Sequence, residues 1–177
     1  MKRLIALIAA AALAVLAPGK DLVEYEKHAA EKLVTTIKGV DPKAVRLAIK
    51  PDTEATFFAI TDREILYCGE IMRAEPVERF AWSAIDRVEA TPDMFETKPS
   101  FLRGHVAGIR LRFKEPVKFG GLLKYFDAGK GNFVFTPAVI VRLENGVATD
   151  CTMAEKVHDR FPHAQRLEEL LKEYVKK

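Results

Sequence analysis

The sequence predicts an α+β fold: an antiparallel β-sheet or partial barrel of about seven strands, with an N-terminal helix and a C-terminal covering helix. Three observations predict it. Helical periodicity is confined to the two ends of the mature chain, apolar residues alternate with a period of two from Val45 onward, and turn residues interrupt this middle part at short intervals. Separate end helices around a run of strands indicate helices covering an antiparallel sheet rather than an alternating parallel one.

The 177-residue chain opens with Lys2-Arg3, an unbroken apolar run from Leu4 to Ala17, and Pro18-Gly19. A short basic start, a brief Leu/Ala core and small residues near its end form a secretory signal peptide. The run is shorter than the roughly 20 apolar residues that span a bilayer. Residues 1–17 are therefore expected to be a signal peptide, or a short anchor if retained, with cleavage after Ala14 and a periplasmic or secreted product. Next comes a helix over 18–40, with a capping-box-like start at Asp21 and Glu24 and an apolar face of Leu22, Ala29, Leu33 and Ile37. Gly39 and Asp41-Pro42 end it.

The β region is expected over 41–147. Val45–Ile49 reads as a strand before the Lys50-Pro51-Asp52 turn. Thr56–Thr61 and Glu64–Ile71 form a hairpin, Glu78–Trp82 and Ile85–Ala90 follow, and Thr91–Gly104 reads as a loop. The cleanest alternation sets Ile109, Leu111 and Phe113 on one face and Arg110, Arg112 and Lys114 on the other. Phe133–Leu143 supplies one or two strands edged at Pro137, and Glu144-Asn145-Gly146 turns the chain. Residues 148–177 are expected to be the closing helix of the same domain, its apolar face being Val157, Phe161, Ala164, Leu167, Leu171 and Tyr174. Pro162 marks a kink or a fresh start.

The stretch Phe57-Phe58-Ala59-Ile60-Thr61-Asp62-Arg63-Glu64-Ile65-Leu66-Tyr67-Cys68 resembles a hairpin of bacterial PH-like domains, in which a Thr-Asp/Asn-x-Arg-like turn joins two apolar strands. Phe80-Ala81-Trp82-Ser83-Ala84-Ile85-Asp86-Arg87-Val88-Glu89 is similar to the continuation of that pattern. The resemblance covers Ala55–Ala90 and, in outline, the closing helix. It implies a helix-capped partial barrel whose binding function lies in variable loops. The chain departs from the pattern in placing Arg63 one position early, in its leader, and in a long insert from Thr91 to Gly131.

Charge supplies the functional lead. The formal charge is +3, two units of which lie in Lys2 and Arg3, so no global field draws the body to nucleic acid or membrane. Yet the segment from Lys98 to Lys130 holds eight cations against Glu115 and Asp127 alone. Arg110, Arg112 and Lys114 are expected along one strand face about 7 Å apart. Arg103, Lys118 and Lys124 lie in the flanking segments, with Phe119, Leu122, Leu123, Tyr125 and Phe126 beside them. These six cations are the candidate ligand-binding residues. They suit an anionic lipid surface or an acidic protein partner rather than a specific nucleic acid. A solvated sheet face is the plainer alternative.

Other constellations carry less. Gly129-Lys130-Gly131 lacks the earlier glycine and the Ser/Thr of a phosphate loop, and no Gly-x-Ser-x-Gly elbow occurs. The four histidines and two cysteines have no zinc-type spacing, so neither metal nor cofactor is expected. Cys68 and Cys151 fit either a bridge closing a long loop or two small buried apolar residues. No residue set specifies a reaction. The expectation is an exported, non-catalytic binding module, or alternatively a periplasmic carrier of a small apolar ligand in a helix-closed cavity.

Overall fold

A computed structural model describes residues 19–51, 56–68, 76–92, 107–117, 132–154 and 159–176. They form two helices and nine strands, two more strands than expected. In chain order these are α1 (Gly19–Thr35), β1 (Val45–Pro51), β2 (Phe57–Thr61), β3 (Glu64–Cys68), β4 (Pro76–Ala81), β5 (Ile85–Thr91), β6 (Gly108–Phe113), β7 (Phe133–Phe135), β8 (Pro137–Glu144), β9 (Val147–Met153) and α2 (Arg160–Val175). Every strand pairing is antiparallel. One sheet has the order β4-β3-β2-β1-β8-β9 and the other β5-β6-β7. The expected α+β class, with a helix at each end of the sheet region, is what the chain adopts. Among the described residues neither sheet closes on itself, and no helix is long and apolar enough to cross a membrane.

Central strands of the larger sheet are buried on both faces. Leu47, Ile49, Phe58, Ile60, Ile65 and Tyr67 point into a core shared with the smaller sheet and α2. Val45, Ala48, Phe57, Ala59, Leu66 and Cys68 point the other way, under α1. The molecule therefore stacks α1, the six-stranded sheet, and then a layer of the three-stranded sheet with α2. The hairpin turn is held by Thr61, whose Oγ1 accepts the N–H groups of Arg63 (3.2 Å) and Glu64 (3.1 Å). Asp62 instead receives the Arg46 guanidinium at 3.1 Å. Trp82 donates its indole N–H to the Thr61 carbonyl at 2.9 Å, and a short 3-10 turn over Trp82–Ala84 carries the chain from β4 into the second sheet.

Three expectations need correction. The buried stripe of α1 is Glu26, Ala30, Val34 and then Ile37 beyond its end, whereas Leu22 is exposed and Ala29 and Leu33 only half-buried. Glu26 can face inward because Lys50 Nζ meets its carboxylate at 2.9 Å, a partner 24 residues away. Helix α1 also starts before Asp21, which lies inside the first turn instead of capping it. Finally, residues from Val147 to Met153 are the edge strand β9 and not the start of the closing helix expected over 148–177, which begins only at Arg160. Asn145 (φ 54°) and Gly146 (φ 84°) both adopt positive φ, the tight hairpin turn that an Asn-Gly pair favours.

Helix α2 begins at Arg160 and takes Pro162 within its first turn, where a missing N–H costs nothing, so the proline starts the helix and does not kink it. Ala164, Leu167 and Leu171 are fully buried, and the helix packs on β5, β6 and β8 across the opening between the sheets. Lys172 meets Glu168 at 2.7 Å, as the i,i+4 spacing predicts. Val157 and Lys177 lie outside the described residues.

A candidate anion-binding face on the small sheet

Strand β6 fulfils the alternation. Ile109 and Leu111 are fully buried in the core, so Arg110 and Arg112 project from the opposite face. Pairing with β5 sets Arg87 opposite Arg112 and Glu89 opposite Arg110. Glu89 is gripped from two sides: Arg112 Nε lies 2.6 Å from Oε2 and Arg87 Nε 3.0 Å from Oε1. Charge-assisted contacts of this length orient both guanidiniums. Arg110 is half-buried with its Nε inside. Lys114 lies just past the strand end, its side chain exposed and its N–H bonded to the Ala84 carbonyl at 3.0 Å.

The expected row of three is thus two arginines on one face and a lysine at its rim. Arg103, Lys118 and Lys124 lie outside the described residues. The residues missed from sequence are Arg87 and Glu89, because only the β5–β6 register makes them neighbours of the row. Two of these arginines, Arg87 and Arg112, share the Glu89 carboxylate, and Arg110 stands opposite Glu89 in the strand register. Glu89 thereby holds two guanidiniums in place on the outer face of the small sheet.

The cysteines are not brought together. Cys68 sits on β3 and Cys151 on β9, four strand positions apart in the sheet order. At about 4.8 Å per strand this is roughly 19 Å, far beyond disulfide reach. Both thiols are free, so the alternative of a bridge gives way to that of small residues in or beside a core. Burial pushes the Cys68 thiol up to about 12; burial and then the neighbouring Glu26 and Asp150 push Cys151 up to about 11. Neither is a ready thiolate at neutral pH.

Among the described histidines, exposed His28 sits 3.7 Å from Glu31, and His163 is buried in the first turn of α2. Among the described residues nothing hydrogen-bonds His163 Nε2, and no group of three or more candidate ligands could hold a metal. His105 and His158 lie outside the described residues. Burial, and secondarily Arg166, lower the His163 pKa below its ordinary 6.5. Above that value the imidazole is neutral whether the chain is folded or not. As pH falls from there through the lowered folded value, the unfolded chain takes up the proton first and stability is lost. Thermal melts at about pH 7.5 and about pH 5.5 should therefore show an acid-side loss that His163→Leu reduces. An identical pH slope in the variant would assign the loss to other groups.

The chain matches no family model, and neither curated proteins nor solved structures yield a match.

Proposed function

We propose that this chain is an exported, non-catalytic binding module of PH-like architecture. Its small-sheet face contacts an anionic membrane surface, or an acidic protein segment that presents similar charge. The observation that carries this reading is the co-facial placement of Arg110 and Arg112, joined by Arg87, with one carboxylate between them. Exposed Lys114 extends the positive charge beyond the strand end. The leader supports export, and the helix-capped antiparallel sheets are compatible with the PH-like resemblance. The interior favours a surface role over a carrier role. Phe58, Tyr67, Phe80, Phe133 and Phe135 pack between the sheets with ring centroids 4.3–6.2 Å apart, filling the space an apolar ligand would need.

Each basic side chain near an anionic surface contributes about 1 kcal/mol. Replacing Arg110, Arg112 and Lys114 with Ser should therefore weaken binding to phosphatidylserine vesicles by up to roughly a hundredfold. The melting temperature should hardly move, because Arg87 still holds Glu89. Vesicle co-sedimentation measures this, with phosphatidylcholine vesicles as the uncharged control. Polyglutamate competition distinguishes the acidic-protein variant of the reading. Equal vesicle affinity of wild type and triple variant would overturn the proposal.

A further inference from the structure

A second feature lies away from this face, where the start of β1, the end of β8 and the last turns of α2 meet. They line an open cleft of about 440 Å³, a volume within the range of small-molecule sites. Leu47 and Leu170 supply apolar wall, and Tyr174 is fixed there by stacking on Trp82 at 5.1 Å. Arg46 also lines the cleft, but its guanidinium is committed to Asp62 at 3.1 Å. Arg142 differs. Its cross-strand partner is Asp150, yet that carboxylate goes to Arg166 of α2 at 3.1 Å. Among the described residues no carboxylate lies in ion-pair contact with Arg142. Glu144 and Glu173 line the same cleft, and among the described residues no cation is in ion-pair contact with either.

We propose that this cleft binds a small zwitterion of the α-amino-acid or dipeptide class, its carboxylate on Arg142, its ammonium on Glu173 and Glu144, and its apolar part against Leu47 and Leu170. The reason is charge balance. A simple anion would meet one available guanidinium and two carboxylates, and a simple cation would meet the guanidinium's repulsion. A molecule bearing both charges satisfies both ends, and each contact is charge-assisted. The volume of the cleft admits such a molecule.

The test is an amide-resonance titration of the full chain with L-leucine and Leu-Leu, with N-acetyl-leucine and leucinamide as singly charged controls. The zwitterions should shift amides from Arg142 to Asn145 and around Glu173, saturating in the millimolar range, and each control should bind about tenfold more weakly. Arg142→Ala and Glu173→Gln should each weaken the zwitterions by about tenfold or more. Both side chains are exposed, and a thermal melt checks each fold; should one variant not fold, the other decides. Absence of shifts at about 10 mM, equal binding of the controls, or unchanged binding in a folded variant would overturn the proposal.

Discussion

Leu171→Asp is expected to abolish cooperative folding of the whole unit, leaving a circular dichroism melt without a transition. Leu171 is fully buried on α2, in the core where both sheets and the helix meet. Removing the leucine forfeits roughly 1.5–3 kcal/mol of apolar burial. The carboxylate that replaces it must then be either desolvated or protonated among apolar walls, a further cost of several kcal/mol. A domain of this size has a total stability of about 5–15 kcal/mol, so the combined penalty takes most or all of it. Gln165→Asp is the matched control: it adds the same charge to the same helix at an exposed position and should melt near the wild-type temperature. A wild-type-like transition for Leu171→Asp would mean that α2 is dispensable cover rather than part of the core.

That this helix belongs to the core was legible in the sequence, because a stripe of Ala164, Leu167 and Leu171 is a local signal read along one element. The alternation of β6 was legible for the same reason, as was the Thr61 turn, whose hydroxyl acts on residues two and three positions away. What escaped depends on contacts distant in sequence. The face of α1 is offset from the expected one because Glu26 is buried by means of Lys50. Strand β9 reads Val-Ala-Thr-Asp-Cys-Thr-Met, too polar to announce a strand. It pairs because the Asn145-Gly146 turn folds it back on β8, and Glu31 of α1 accepts the Ala148 N–H at 2.8 Å. In the candidate face, the arginine row was readable but the Glu89 clamp was not, since strand register decides which residues of β5 stand beside β6. The charge count over Lys98–Lys130 overstated the isolation of the row for this reason: the opposing strand brings its own carboxylate.

Phe58→Ala should be the most damaging truncation that leaves a foldable chain. Phe58 is fully buried on β2, stacked on Phe135 at 4.3 Å and in ring contact with Tyr67 at 5.1 Å and Phe133 at 5.8 Å. Large-to-small changes of this kind cost about 3–5 kcal/mol, the transfer term plus the cavity left behind. Each aromatic pair adds about 0.5–1.5 kcal/mol beyond its buried area. The four rings come from β2, β3 and β7, so a hole at Phe58 loosens the junction between the two sheets and cannot be closed by shifting one strand. Urea unfolding should show a lower midpoint with an unchanged slope, the mark of lost stability without a change in surface exposed. Phe135→Ala should be similarly costly, and the double variant should cost less than the two separately, because removing either ring already forfeits their shared stacking. By contrast Val147→Ala, at an exposed position of β9, should stay within about 0.5 kcal/mol of wild type. If Phe58→Ala were as mild as Val147→Ala, the two sheets would not be held together by these rings.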